Sequence, residues 1–165
     1  MTLFSEYSFG QIEDSTLMSF GWVECGMGLS NIYSNGKKPG ISVGASYSHY
    51  LPKFCYQIGF DGGGSILSGP TLSNIHFDFG KRLFNRYYLV GGFIGPAYMF
   101  GSTSEESNNF IFHTIGINTN IQLIFKPFFW FGLGTELFAN ICNKESTVGF
   151  RLVVHFTNIN DKKPK

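Results

Sequence analysis

Eight ionisable side chains carry whatever chemistry this chain holds: Glu24, Asp61, Asp78 and Glu136, with Arg82 and Arg151 to oppose them and His76 and His155 beside them. Enclosed together, carboxylates, guanidiniums and imidazoles can act in three ways. They can pair and fill the space, because a charge withdrawn from water must be paired or hydrogen-bonded. They can gate a narrow polar path. Or a histidine with a hydroxyl and a carboxylate can activate a nucleophile. No spacing among them matches a metal-ligand motif, and none implies a cofactor.

Their positions are set by a period of two. In Ile41–Leu51, residues Ile41, Val43, Ala45, Tyr47 and Leu51 share one face while Ser42, Gly44, Ser46 and Ser48 share the other, which is the signature of a strand with two unlike sides. The pattern recurs in Lys53–Asp61, Ser73–Leu83, Phe110–Phe125, Phe128–Ile141 and Thr147–Phe156. It places Asp61, His76, Asp78, Arg82, Glu136, Arg151 and His155 on the small polar side. Leu17–Ser30 is Gly-rich; its polar face takes Glu24, Gly26 and Gly28 and, in the same alternation, Phe20 and Trp22. Tyr87–Phe100 is apolar on both sides and carries Pro96, which belongs at a bulge or a lipid-facing irregularity, and its faces stay unassigned. Eight strands of this length use most of a 165-residue chain, and the expected fold is an all-β, eight-stranded antiparallel up-and-down barrel.

Alternation does not say which face points inward, since a soluble lipocalin-like barrel has the same period with its apolar face inside. The quality of the polar face decides. It is Gly, Ser, Asn and Thr with few charges, too small and too uncharged to solubilise an exterior but suited to a crowded lumen. Composition agrees: 18% of residues are aromatic and only 14% charged, against about a quarter charged in an ordinary soluble domain. The apolar face is therefore expected to meet lipid.

Connections alternate in the same sense. Tight joins are expected at Leu51–Lys53, Phe84–Arg86 and Lys126–Pro127, and long loops at Asn31–Gly40, Gly62–Thr71 and Gly101–Asn109. Short periplasmic turns and longer outer loops would put both termini on the periplasmic side. Aromatics gather near that rim, as an interfacial girdle should: Tyr50, Phe54, Phe84, Tyr87, Tyr88, Phe125, Phe128, Trp130 and Phe156. The organisation reads as an N-terminal lead-in over residues 1–14, the barrel over 15–157 and a polar tail over 158–165. No apolar run reaches 18 residues, so no spanning helix is expected. Nor do the first residues read as a secretory signal, so the chain is expected to be a mature form from which the signal has been removed. A net charge of +1 offers no nucleic-acid footprint. Cys25, Cys55 and Cys142 can form at most one disulfide.

On these alternating strands, the loop rhythm and the aromatic Phe156 closing the last strand, the chain resembles the small eight-stranded outer-membrane barrels of the OmpA transmembrane-domain, OmpX and OmpW kind. The resemblance covers nearly the whole chain and is one of architecture. It implies an outer-membrane address in a Gram-negative-type bacterium, insertion by the outer-membrane assembly machinery, and contact with outer-membrane lipids and lipopolysaccharide. No single activity follows from it, and no extracellular partner can be named. In that family the terminal aromatic usually ends the chain, whereas nine residues follow Phe156.

The expected role is structural, adhesive or loop-mediated binding without an open pore. Arg151 lies on the strand flanked by those carrying Glu24 and Glu136, and is expected to bridge the two within a lumen network that also holds Asp61, Asp78 and Arg82. A narrow gated channel is one alternative, although eight strands barely allow a path. A lipid A-modifying enzyme is another. The segment Arg151–Asn158 loosely resembles the His-x-Ser-Asn stretch of a barrel deacylase, with Thr157 where serine would stand and no carboxylate-bearing strand following. His49 and His113 fall on the lipid-facing set near opposite rims. No catalytic residue is assigned.

Overall fold

The computed structural model describes residues 21–34, 36–51, 54–66, 69–84, 87–105, 108–128 and 130–157. The expected lead-in at 1–14 and tail at 158–165 lie outside them. Eight strands follow one another: β1 (Gly21–Ser34), β2 (Gly36–Tyr50), β3 (Cys55–Ser65), β4 (Thr71–Phe84), β5 (Tyr88–Glu105), β6 (Asn108–Phe128), β7 (Phe131–Ile141) and β8 (Ser146–Thr157). Each pairs antiparallel with the next and β8 pairs with β1, closing the barrel. Closure satisfies the backbone of the wall and leaves no edge there, the condition a bilayer imposes on any sheet that crosses it.

Tracing the register once round the wall fixes its geometry. From Gly21 the pairs run through His49, Tyr56, Phe79, Ile94, Thr119, Ala139 and Val148, and return to β1 at Asn31. A stagger from residue 21 to residue 31 demands strongly tilted strands, about 40° from the axis, and an interior that side chains just fill. The eleven residues of β7 then span about 28 Å of height, close to the thickness of a bilayer core.

The two faces separate as their side chains require. Outward stand branched and aromatic residues that suit a pleated wall, including Met27, Leu29, Ile41, Ile58, Phe77, Leu137 and Leu152, all exposed. Inward stand Ser48, Gln57, Asn74, Asn118, Gln122 and Asn140, all buried, together with the ionisable residues. The lipocalin-like alternative is thereby excluded: the apolar face is outside. Trp22 does face the lumen, 1% exposed. In β5, Leu89, Phe93, Ala97 and Met99 point inward while Val90, Ile94, Pro96 and Tyr98 point outward.

Three expected loops are corrected. β1 runs on to Ser34 and β2 resumes at Gly36, whose φ of 138° is a backbone conformation glycine tolerates at a hairpin turn. β3 continues to Ser65, and β5 and β6 run to Glu105 and from Asn108. Beyond a bilayer a hairpin needs no apolar face, only its ladder hydrogen bonds, so Gly, Ser and Asn sequences that read as loops extend strands instead. At the other end, the expected turn at Lys126–Pro127 is also displaced. β6 passes through Pro127 to Phe128 by a register shift between Phe125 and Phe128, and the turn falls at Trp130; a bulge is where a ladder can hold a residue with no N–H.

Candidate functional site: the filled lumen

Two guanidiniums organise the interior, each laid against an aromatic ring. Arg82, from β4, sits 4.0 Å above the Trp22 ring and 2.6 Å from Glu24 Oε1, and also donates to Gln122. Arg151, from β8, sits 3.9 Å above Phe138, donates to Glu136 at 2.7 Å and pairs with Asp61. A ring face beneath a cation and carboxylates at its edge replace much of the lost hydration. Glycine makes the second arrangement possible: a Cβ at Gly44 would fall inside the Arg151 guanidinium.

The expected bridge from Arg151 to Glu24 is therefore corrected. Arg151 does meet Glu136, its register partner across β7 and β8, but its second acid is Asp61 of β3. On β1 Arg151 lies opposite Gly28, whereas Glu24 lies opposite His155. Four residues of separation along a tilted strand carry Glu24 towards the end holding the termini, where His155 Nδ1 approaches it at 2.9 Å and Gln122 donates at 3.0 Å.

The remaining acids and imidazoles complete one connected system. His76 Nδ1 is 2.7 Å from Asp78, and its Nε2 is 3.9 Å from Asp61. Asn118 donates to Asp61 at 3.2 Å and to Asn140 at 2.6 Å, Asn120 to Gln57 at 3.0 Å, and Gln122 to Glu136 at 3.3 Å as well as to Glu24. All six charged residues and both histidines singled out in the sequence are thus brought together. The amides that join them, Gln57, Asn118, Asn120 and Gln122, were visible as polar-face residues but not as members of a site. The signal was their shared face; what the sequence lacked was the stagger that says which strands' residues meet.

Little space is left. The gap lined by Glu24, Gln57, Asp61, His76, Asn120, Glu136 and Arg151 amounts to ≈ 10 Å³, room for about one water. Apolar clusters lie in the lumen above and below the network. Leu72, Ala97 and Met99, with Phe112 and Cys142 against them, form one; Trp22, Cys55 and Phe93, with Tyr50, form the other. All three cysteines are free thiols.

One arrangement has the outline of a hydrolytic triad. His155 Nε2 lies 3.0 Å from Thr157 Oγ1 while its Nδ1 faces Glu24, which supplies the carboxylate the neighbouring sequence lacked. Its surroundings oppose catalysis: His155 is buried beside Trp22, the rings 6.2 Å apart, Glu24 Oε1 is shared with Arg82, and neither His155 nor Thr157 borders the interior gap. A nucleophile needs room for a substrate within reach.

Comparison with known proteins agrees at the level of fold. Neisserial surface protein A superposes with a TM-score of 0.66 at 10% identity, over 82% of this chain and 96% of that one. Ail, the attachment invasion locus protein of Yersinia pestis, gives 0.63 at 12%, over 86% and 100%. The N-terminal β-barrel domain of Pseudomonas aeruginosa OprF gives 0.61 at 10%, over 86% and 100%. No protein-family model matches the sequence, and no curated protein matches it either.

Proposed function

We propose that this chain is an integral outer-membrane barrel, closed to solutes, whose role is structural or adhesive and is exerted at its outer end. The observation that carries the reading is the filled lumen: a charge network whose central gap has room for about one water, flanked by an apolar cluster on either side. Transport through such an interior would require breaking buried ion pairs.

The outer end is the one where strands overshoot. β7 last pairs with β6 at Ile141–Ile117, yet β6 continues through residues 116 to 108, on the order of 30 Å of strand, laddered only to β5 and touching the β7–β8 connection through the Thr114–Asn143 hydrogen bond. Among the described residues its other edge carries no partner strand, and an open edge outside a membrane is a template for adding a strand from another protein. Lys37, Lys38 and Lys144 lie at the same end, exposed or partly so, and although Glu105, Glu106 and the buried Glu145 balance them in number, these lysines are the groups there that can meet an acidic surface. Ail has been crystallised with a heparin analogue, which makes heparin a sensible first probe. On this reading both termini are periplasmic, lipopolysaccharide surrounds the outer half, and the assembly machinery inserts the barrel.

Two measurements test the proposal together. In planar bilayers the wild type and Arg151→Ala should both stay silent; steady unitary conductance in the wild type contradicts the closed lumen. Proteoliposomes carrying the barrel should bind heparin-coated surfaces, and should lose that binding when residues 103–110 are replaced by Asn-Gly and Lys37, Lys38 and Lys144 by Gln. Unchanged binding in that variant removes the adhesive role from this end.

A further inference from the structure

The lipid-facing wall is not uniform. Between β3 and β6 its outer surface is notched by a groove of ≈ 440 Å³, walled by Ile58, Ile75, Phe77, Tyr98 and Ile115 and floored by Pro96. The cause is local. Pro96 places a short ring among long neighbours, and it has no N–H for the ladder. The pairing of β4 with β5 accordingly stops at His76–Ala97 and resumes at Phe79–Ile94.

Hydrogen-bonding groups gather directly above the groove on the same strands. Thr71 Oγ1 and Ser102 Oγ stand 3.1 Å apart on the exposed seam of β4 and β5, and Tyr98 OH lies 2.9 Å from His113 Nδ1 across β5 and β6. Between these rim groups and the groove below, no Lys, Arg, Asp or Glu faces outward among the described residues of β4, β5 and β6. An apolar slot capped by hydroxyls and an imidazole matches one occupant: a single lipid in which one acyl chain fills the slot and the ester and phosphate oxygens accept from these groups. A multiply phosphorylated glycolipid would meet no lysine or arginine there.

We infer that the groove at Pro96 is a binding site for one glycerophospholipid held among the lipopolysaccharide of the outer half of the bilayer, its acyl chain against Ile58, Ile75, Phe77 and Ile115 and its head at Thr71, Ser102, Tyr98 and His113. The inference rests on the outward apolar wall and stands whether or not the hairpin is adhesive.

Native mass spectrometry of the full barrel, released from detergent with dipalmitoyl phosphatidylethanolamine, reads it directly. The wild type should retain one lipid under activation that strips the rest. Pro96→Leu, which fills the slot with a side chain equally at home in lipid, should weaken that retained binding about tenfold, or ~1.4 kcal/mol. Thr71→Val with Ser102→Ala should weaken it by a smaller factor with the groove intact. Ala139→Leu on β7, an outward change away from the groove, should leave it unaltered. Retention of the same lipid with equal strength in Pro96→Leu overturns the site, as does equal weakening by Ala139→Leu. Preferential retention of lipid A over the phospholipid overturns the assigned occupant.

Discussion

Removing the Arg151 charge alone should destabilise the barrel more than removing it together with the acids it faces. Arg151→Met keeps most of the side chain's volume and leaves Asp61 and Glu136 without their guanidinium, in positions where their side chains are 7% and 10% exposed. Breaking a buried pair by deleting one partner costs about 3–5 kcal/mol, because the orphaned charge stays desolvated. Asn118 and Gln122 still donate to the two acids, which favours the lower end. Loss of the contact over Phe138 adds about 0.5–2 kcal/mol. The expected single-variant cost is therefore about 3–5 kcal/mol. Arg151→Met combined with Asp61→Asn and Glu136→Gln leaves no stranded charge and should return to within about 1 kcal/mol of the wild type. Reversible urea unfolding in phospholipid vesicles, followed by tryptophan emission, measures both. A single-variant cost below about 1 kcal/mol, or a triple variant as unstable as the single, would show that the lumen charges are not the buried, mutually dependent set described here.

Other variants separate the parts of the interior. Arg82→Met should cost less than Arg151→Met, about 1–3 kcal/mol in the same assay, since Glu24 keeps His155 and Gln122. Gly44→Ala drives a methyl into the Arg151 guanidinium and against Asp61 Oδ1 and should cost about 1–3 kcal/mol as overpacking, with the loss reduced but not abolished when Arg151 is already Met. Ser42→Ala should lie within about 0.5 kcal/mol of wild type or stabilise slightly, because its buried hydroxyl has no protein partner to lose. On the outer wall, Leu152→Lys should cost about 2–4 kcal/mol in vesicles, the penalty for a cation near the bilayer midplane.

The barrel was legible because its strongest constraint is written locally. Ile75, Phe77 and Phe79 alternate with Asn74, His76 and Asp78 within a single strand, and a strand's two faces need no other information. Trp22 could be read inward from alternation alone, against its hydrophobic character, and its ring lies beneath Arg82. Harder features depended on relations between strands. Glu24 and Arg151 sit on neighbouring strands and looked like partners; only the ten-residue stagger shows that Asp61, three strands away round the wall, reaches Arg151 first. Outer loops were misread for a related reason. Gly, Ser and Asn lower strand propensity, but the hairpin of β5 and β6 is held by its ladder, a property of two segments jointly. The groove at Pro96 combined both limits: the proline was visible, whereas its neighbours across the ladder were not.

The direction of the wall is the claim beneath all of this, and a tryptophan at position 152 tests it. In a Trp22→Phe, Trp130→Phe background, Leu152→Trp reconstituted in vesicles should lose most of its emission to lipids brominated on the acyl chains and very little to aqueous acrylamide. Strong acrylamide quenching with no effect of the brominated lipid would mean that Leu152 meets water, and the barrel would have to be turned inside out.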